Sequence, residues 1–427
     1  MRKVGTLTSG LTLLTLGIVI LIDVIGKKQW FYKIIPFWPV ILVGLGLEIL
    51  WYLLTMKRHG VTEAIRIDAR SLALLSLVGV FAIAFYTTSI QAGQVQLSVA
   101  AMKNVIQESF GEKVISLPDL QYPVENTKRI ELNNRVGKVN VVSTDSKQVK
   151  IRINVHVKGL ESDVAQQEAK KWMPQITQGT SLRIEEDPSI FNNQSKISGI
   201  DFQLEVPKNL TLQIVSYSGD LSVTDYTGDI IVMNQMGKIS LERVRGNIQI
   251  SGEDSQVAVR GVTGNAVVNV RSSSIDANDI TGAFNGTSQF GDIQVSKIGG
   301  NVSAESQNGR VILNDISGDA SVKTQIGDIQ ANGMKGALQL FAENGNINIE
   351  SEVRNNWNVT ATRGMISLKI PKDSNIQFSG ETKRGIVKGP TKTNADANGA
   401  SVSEKMGAGT YSVKAHSDDG AITVTTS

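Results

Sequence analysis

The chain has 427 residues, no cysteine, and 43 basic against 40 acidic side chains, which gives a net charge of +3. This length suffices for two or three structural units, and the small net charge excludes the strongly basic surface typical of nucleic-acid-binding proteins. Without cysteine there is no disulfide or thiolate metal site, and only His59, His156 and His416 offer imidazole ligands, so a zinc enzyme is not expected.

Three long apolar stretches lie in residues 1–90, at about 4–25, 34–54 and 71–90. At ~1.5 Å per residue, each could cross a hydrocarbon core of about 30 Å as a helix. A cleaved signal peptide is the alternative for the first stretch, but no small-residue cleavage site follows it. The pattern predicts a membrane domain with three transmembrane α-helices.

The basic residues of this domain are distributed unequally. Six of them fall at the N-terminus and between the second and third stretches, whereas three fall between the first and second. The positive-inside rule then predicts a multi-pass cell-membrane protein with a cytoplasmic N-terminus and an extracytoplasmic C-terminal domain. Glu48 is the one carboxylate clearly inside a predicted span, and two roles stay open for it: a functional group, or a side chain that reaches the interface.

Residues 91–123 have no strong periodicity, which suggests a juxtamembrane stalk. Residues 124–216 contain several strands of alternating hydrophobicity and one helical stretch near Ser162 to Trp172. We expect these elements to cap the structure that follows, because a sheet needs its exposed edge covered.

A nine-residue repeat begins at Gly219 and continues through fifteen copies to the copy that starts at Gly345. Thirteen copies begin with glycine, the third position is always apolar, and the fifth is apolar in all copies but the one with Gly286. This alternation is typical of a short strand with one buried face.

A second period of eighteen residues overlies the first. The eighth position is apolar only in alternate copies, at Tyr226, Val244, Val262, Ile280, Ile298, Ile316 and Met334. Two unlike repeats per coil predict an all-β parallel β-solenoid over residues 217–427, in which equivalent positions stack ~4.8 Å apart.

Stacking should make residues eighteen apart neighbours. We therefore expect Glu305 to meet Lys323, Glu242 to meet Arg260, and the asparagines 278, 314 and 332 to share one column. The repeat slips by one residue near Arg354 and reappears at Gly364 and Gly420, which suggests that the C-terminus forms the last of the closing coils.

The second position of the repeat is often Asp or Asn, at Asp220, Asp229, Asp292, Asp319, Asp328, Asn247, Asn265, Asn301 and Asn346. The calcium-binding nonapeptide of β-roll proteins instead needs an Asp at position six and further glycines. Asp and Asn directly after Gly are common turn formers. Turn structure is the favoured interpretation, and a weak cation column is the alternative.

Solenoid enzymes that cleave glycans need clustered carboxylates on one outer face. The best pair that the repeat offers, Asp279 with Asp315, lies two coils apart in a recurring corner. The sequence therefore predicts no enzyme and indicates no catalytic, cofactor-binding or metal residue. A face rich in Ser, Gln and Asn could still bind glycans through hydrogen bonds.

From about Val124 onward, the segments RVGKVNVVS and FQLEVPKNLTLQIVSYSGDLSV and the G-D-I-x-V repeats resemble the putative-adhesin β-strand-repeat family of bacterial envelope proteins. The segment FWPVILVGLGLEIL resembles the transmembrane module of Lia-type cell-envelope-stress proteins. Together these resemblances imply a membrane-anchored domain involved in adhesion, wall contact or envelope-stress signalling.

The leading hypothesis is a membrane-anchored extracytoplasmic β-solenoid that acts as a non-enzymatic binding, adhesion or envelope-stress-sensing module. Its expected partners are the lipid bilayer, a cell-wall polymer or glycan, and an envelope-stress membrane protein. The first alternative is a self-assembling membrane-bound scaffold in which an uncovered solenoid end pairs with the next molecule. The second is a glycan-cleaving β-helix enzyme.

Overall fold

The computed structural model describes residues 111–158, 162–187, 196–396 and 399–427, together with a few positions between 3 and 67. The chain forms two units, 1–104 and 105–427. In the first unit, strands β1 (Lys3–Val4) and β2 (Arg66–Ile67) pair in parallel. Glu48 is helical and buried.

The prediction of three transmembrane helices, and with it the multi-pass membrane localisation, is contradicted. Within the described positions, no helix combines the length and the apolar character needed to cross a bilayer. The only helix there with defined ends, α1 (Ser162–Lys171), has ten residues, or about half the thickness of a hydrocarbon core. The predicted stretch 71–90, all of 34–54 except Glu48, and most of 4–25 lie outside the described residues.

The second unit begins with ten strands that surround helix α1. Their bounds are β3 (Glu112–Ser116), β4 (Leu120–Pro123), β5 (Arg129–Val136), β6 (Val139–Thr144), β7 (Gln148–Lys158), β8 (Gln175–Thr177), β9 (Ser181–Glu185), β10 (Ile197–Pro207), β11 (Thr211–Ser218) and β12 (Leu221–Thr224). The predicted helix near Ser162 is confirmed. Strands β3 and β4 occupy part of the predicted stalk and pair with β7.

The repeat array supplies the remaining strands. Their bounds are β13 (Ile230–Arg245), β14 (Ile248–Thr263), β15 (Ala266–Val270), β16 (Ile275–Ile280), β17 (Phe284–Phe290), β18 (Ile293–Ile298), β19 (Val302–Asn308), β20 (Val311–Ile316), β21 (Ala320–Ile326), β22 (Ile329–Asn332), β23 (Leu338–Asn344), β24 (Ile347–Glu350), β25 (Trp357–Arg363), β26 (Ile366–Ile370), β27 (Ile376–Arg384), β28 (Val387–Lys388), β29 (Thr393–Asn394), β30 (Ala400–Met406), β31 (Tyr411–Asp419) and β32 (Ile422–Thr426).

The β-solenoid part of the fold prediction is confirmed by the strand register. Every parallel pair from β13 to β24 joins residues eighteen apart, so that each coil hydrogen-bonds to the next. The spacing becomes nineteen where β23 meets β25, which is the slip that the sequence shows near Arg354. Glu305 lies beside Lys323, with a 3.4 Å ion pair.

The two corners of each coil differ because of one backbone conformation. The seventh position of alternate repeats is left-handed, with φ between +53° and +66° at Asp225, Arg243, Gly261, Asp279, Lys297, Asp315 and Gly333. In a regular strand the odd-numbered positions of the repeat would point inward. The left-handed residue shifts this alternation by one, so that the eighth position, for example Tyr226 or Ile280, lies in the core. The other corner keeps the strand alternation and points its seventh position inward.

The core between the two sheets consists of stacked Ile, Val and Leu side chains. Gly286, the exception at position five, is explained by the buried ring of Phe284, since a Cβ at residue 286 would lie 2.7 Å from that ring. The same compensation occurs at Phe378 and Gly380.

At both ends of the solenoid, the order of the strands in the sheet differs from their order in the chain. At the N-terminal end, β5 and β6 lie between the later strands β9 and β10 on one side and β11 and β12 on the other. At the C-terminal end, β31 pairs with β25 and β27, and β32 pairs with β26 and β28. The C-terminal strands therefore form the penultimate coil, and the expectation that they form the last one was wrong.

Antiparallel strands cover both terminal coils of this unit. Strand β7 pairs with β10 and β8 pairs with β9, whereas β30 pairs with β27 and β29 pairs with β28. Helix α1 adds the fully buried Ala165 and Ala169 to the core at the first end. This arrangement disfavours the scaffold alternative, which requires an uncovered parallel edge.

Candidate functional site

The Asp and Asn side chains at position two form two ladders, one along each corner of the coil. Each side-chain oxygen accepts a hydrogen bond from the backbone N–H one coil further on, for example Asp229 from Asn247 at 2.8 Å and Asn301 from Asp319 at 3.0 Å. Both ladders continue past the slip, one through Asn346 and the other through Asn356. The predicted turn role is confirmed, because these oxygens satisfy turn backbone.

A shallow groove of about 840 Å³ on the outer surface follows one of these ladders, the one that contains Asn265, Asn301 and Asp319, and we call it the axial groove. It crosses seven coils, or about 30 Å at ~4.8 Å per coil. One wall is the ladder, with Asn265, Ala283, Asn301, Asp319, Ala337, Asn356 and Ser412; the other is position four, with Val267, Asn285, Ser303, Ser321, Gln339, Asn358 and Lys414.

The position-four side chains are the chemically available groups of the axial groove. Asn285, Ser303, Ser321, Gln339 and Asn358 are exposed. They offer hydroxyl and amide groups at regular intervals, each able both to donate and to accept. The groove can therefore form many weak hydrogen bonds with an extended, uncharged partner.

Aromatic stacking contributes little to this surface. Phe284 and Trp357 line the axial groove, but both rings are buried, with 1% of each side chain exposed. Lys414 and Asp319 are the charged side chains in its lining. Both observations favour recognition by hydrogen bonds over binding by stacking or by charge.

Polar residues also form a column inside the solenoid, at position seven of the corner that keeps the strand alternation. Towards the C-terminal end the members are hydroxyls that donate to turn carbonyls: Ser288 to Ser273, Ser306 to Gly291, Thr324 to Gly327, Ser417 to Gly364 and Thr382 to Gly420, all at 3.0–3.2 Å. We call this set the polar column. It satisfies carbonyls that would otherwise be buried without a donor.

At the N-terminal end the polar column has a different composition. Glu186, Asn134, Ser216 and Asn234 are adjacent in register and nine-tenths or more buried. Of the six buried side-chain nitrogen and oxygen atoms that lack a partner among the described residues, four belong to this set: Glu186 Oε1, Asn134 Oδ1, Ser216 Oγ and Asn234 Oδ1. We call these four atoms the oxygen cluster.

A cavity of about 730 Å³, more open to solvent than the axial groove, lies at the oxygen cluster. Its lining also contains Arg135, Tyr217 and Gly252. Burial raises the pKa of the Glu186 carboxyl to about 7, despite a 2.9 Å hydrogen bond that the Arg135 backbone N–H donates to Oε2 and despite the charge of Arg135.

Sequence reasoning missed both the polar column and the oxygen cluster. A signal was present, because the seventh position of alternate repeats from Ser288 to Ala342 carries a small or hydroxyl residue where the strand pattern expects a large apolar one. The same pattern could not be read at Asn134 and Glu186, because both residues precede the regular repeats.

The structure separates the two carboxylates considered for catalysis. Asp279 and Asp315 both lie on the exposed left-handed corner, and register places Lys297 between them. Asp279 contributes to a charged depression with the bidentate Arg243–Asp225 pair, whose atoms lie 2.6 and 2.9 Å apart, whereas Asp315 is absent from its lining. In the part of the chain that the structure describes, no group of three His, Cys, Asp or Glu side chains could hold a metal.

Comparison with known proteins supports the repeat architecture. Residues 291–425 match the Toastrack domain family DUF4097, and this match does not include the predicted Lia-type module in residues 1–90. Among curated proteins, none matches the chain.

Two solved structures are similar to this chain. A putative adhesin from Bacteroides fragilis NCTC 9343 is 15% identical with a TM-score of 0.34, and the match covers 56% of this chain and 97% of the other. A putative cell adhesion protein from Clostridium sporogenes ATCC 15579 is 13% identical with a TM-score of 0.18, covering 74% and 100%. Both TM-scores lie below 0.5.

Proposed function

We propose that this protein is a non-enzymatic binding module of the adhesion type, and that its axial groove binds an extended, uncharged polar polymer. A cell-wall glycan is the candidate partner. The observation that carries the proposal is the row of exposed amides and hydroxyls at Asn285, Ser303, Ser321, Gln339 and Asn358, which repeats once per coil along the groove.

Several physical features support an extended partner. The axial groove is long and shallow, so it would not enclose a small molecule in the way that most ligand pockets do. Each hydrogen bond to a hydroxyl-rich polymer contributes little alone. Seven successive coils can hold neighbouring units of one chain at once, and linked weak contacts raise the total affinity strongly.

The same geometry supports a binding role over a catalytic one. The groove contains a single carboxylate, Asp319, and that side chain accepts a 2.8 Å hydrogen bond from the Ala337 backbone N–H. Glycan hydrolysis requires two carboxylates at a defined separation across the scissile bond. Asp279 and Asp315 lie at another corner, outside the groove lining.

The proposal can be tested with a cysteine probe, because the chain has no native cysteine. Ser303→Cys places a thiol in the axial groove, and Gln294→Cys places a matched exposed thiol on the opposite sheet. Solubilised cell-wall glycan should slow maleimide labelling of the full-length Ser303→Cys variant in a saturable way and leave labelling of Gln294→Cys unchanged.

Equal labelling rates with and without glycan at residue 303 would contradict the proposed binding. The chain length of the glycan should also stay constant during incubation. Its shortening by the native protein would show that the non-enzymatic part of the proposal is wrong.

A further inference from the structure

We propose that the oxygen cluster is a binding site for a small metal cation. The site is formed by Glu186, Asn134, Ser216 and Asn234, at the N-terminal end of the polar column. It is separate from the axial groove, whose lining begins at Asn265.

The first argument is the kind of atom that lacks a partner. The amide nitrogens of two members are already used: Asn134 Nδ2 donates to the Gly137 carbonyl at 3.0 Å, and Asn234 Nδ2 donates to Ser255 Oγ at 3.1 Å. These bonds fix the orientation of both amides, so that the unpaired atoms are oxygens. Two amide oxygens, a carboxylate oxygen and a hydroxyl oxygen are ligands that hard cations prefer.

The spacing of the strands also favours a bound cation. Register places the four residues on successive strands, in the order Glu186, Asn134, Ser216, Asn234. Neighbouring strands lie ~4.8 Å apart, and none of these four oxygens forms a hydrogen bond across that gap. A cation between two levels could contact both, because oxygen ligands bind such ions at about 2.3–2.6 Å.

Gly252 and Ser255 leave space beside the oxygen cluster. At the next level the column has Gly252, where a Cβ would lie 3.0 Å from the Cβ of Ser255. Ser255 occupies a repeat start that is usually glycine, and its buried hydroxyl donates to the Asn234 carbonyl at 3.1 Å. Gly252 and Ser255 together hold Asn234 in place and keep the cavity beside it open.

Charge is consistent with one bound cation. The charged groups that line the cavity are Glu186, Arg135 and Glu253. Glu253 accepts a 3.1 Å hydrogen bond from Gln235, and the carboxylate Oε1 of Glu186 has no partner. That oxygen can supply the negative charge that one bound cation needs.

The experiment measures thermal unfolding of the full chain at pH 8 and constant ionic strength. Tetramethylammonium chloride serves as the reference salt, because the methyl groups of this ion prevent it from coordinating oxygen ligands, and Na⁺, K⁺ or Ca²⁺ then replaces it in separate titrations. At least one of these ions should raise the melting temperature in a saturable way. The three arms distinguish a monovalent from a divalent site.

Variants test whether the effect arises at the oxygen cluster. Ser216→Ala and Glu186→Gln should each weaken the apparent affinity for the ion at least about tenfold. Ser306→Ala is the matched control, since its hydroxyl belongs to the same column but donates to Gly291. It should lower the melting temperature without changing the ion affinity.

Two outcomes would overturn the proposal. One is a melting temperature that is the same in all four salts. The other is an ion-dependent rise that Ser216→Ala and Glu186→Gln both leave intact, which would place the bound ion elsewhere.

Discussion

The two ends of the polar column occupy equivalent positions in the solenoid but differ in how their polar atoms are satisfied. Towards the C-terminal end, single hydroxyls such as those of Ser306 and Thr324 donate to turn carbonyls and leave nothing unpaired. Towards the N-terminal end, Asn134 satisfies a turn carbonyl with its amide nitrogen and leaves its amide oxygen without a partner, and the Ser216 hydroxyl has no partner at all. The repeat geometry therefore fixes where a buried polar group lies, and the side chain decides whether it only stabilises or can also bind.

The largest loss of stability should come from a glycine substitution at the C-terminal end of the polar column. Gly327 has φ +146°, and a Cβ there would lie 2.1 Å from the Gly309 carbonyl oxygen. Gly327→Ala must displace the backbone whose carbonyl accepts the Thr324 hydroxyl, so we expect the free energy of unfolding to fall by about 3 kcal/mol or more. Chemical denaturation would measure it, with Gly179→Ala as a control because its Cβ would meet nothing closer than 4.0 Å. Equal losses in the two variants would contradict this explanation.

The next effect concerns pH at the N-terminal end. The pKa of Glu186 is about 7 in the folded protein, whereas the ordinary pKa of a glutamate is 4.5. The folded state thus holds the proton more tightly, and stability from this group is fully present below pH 4.5 and is lost as pH rises to about 7. The shift corresponds to about 3 kcal/mol at most.

Denaturation of the full chain across this pH range, in tetramethylammonium buffer, would measure the Glu186 contribution. Glu186→Gln should flatten the slope. Glu185→Gln is the control, because it changes the adjacent carboxylate, which accepts a hydrogen bond from Asn133. A slope that Glu186→Gln leaves unchanged would assign the pH dependence to other groups.

A smaller loss of stability should follow from removing one hydroxyl at the C-terminal end of the polar column. Thr324 is fully buried and donates to the Gly327 carbonyl at 3.0 Å. Thr324→Val keeps the shape and removes the donor, so we expect a loss of about 1–2 kcal/mol in the free energy of unfolding. Thr360→Val, on the outward side of a strand, should change it by less than about 0.5 kcal/mol. If the two variants lost the same amount, the internal hydroxyl would have no special role.

Much of the solenoid could be predicted from the sequence because its periodicity directly reports stacking. The eighteen-residue register, the Glu305–Lys323 pair and the turn role of Asp229 and Asn301 all follow from residues that recur at one position. The 2.9 Å hydrogen bond between Asn314 and Asn332 agrees with the predicted asparagine column. Glu242 and Arg260 are in register as predicted, but Arg260 pairs with Asp276.

The remainder could not be predicted because it depends on strand order and on atoms left over after pairing. Nothing in a hydrophobic pattern states that β31 lies between β25 and β27, since a strand of either coil has the same alternation. Hydropathy also predicted three membrane helices that the described residues do not show. The oxygen cluster depends on which amide atom is already bonded, as at Asn134, and only three-dimensional contacts reveal this.

The insertion of β31 and β32 into the stack also affects how the solenoid assembles. These strands follow β27–β30 in the chain yet lie between β27 and the preceding coil. Coil-by-coil growth from one end, which suits most repeat proteins, cannot finish this end, because the gap is filled only by a segment that comes after the cap. Closure therefore depends on contacts of long sequence separation, such as Trp357 with Val413, and such contacts form slowly. This end of the solenoid should be the last part of the sheet to acquire its protection against hydrogen exchange during refolding.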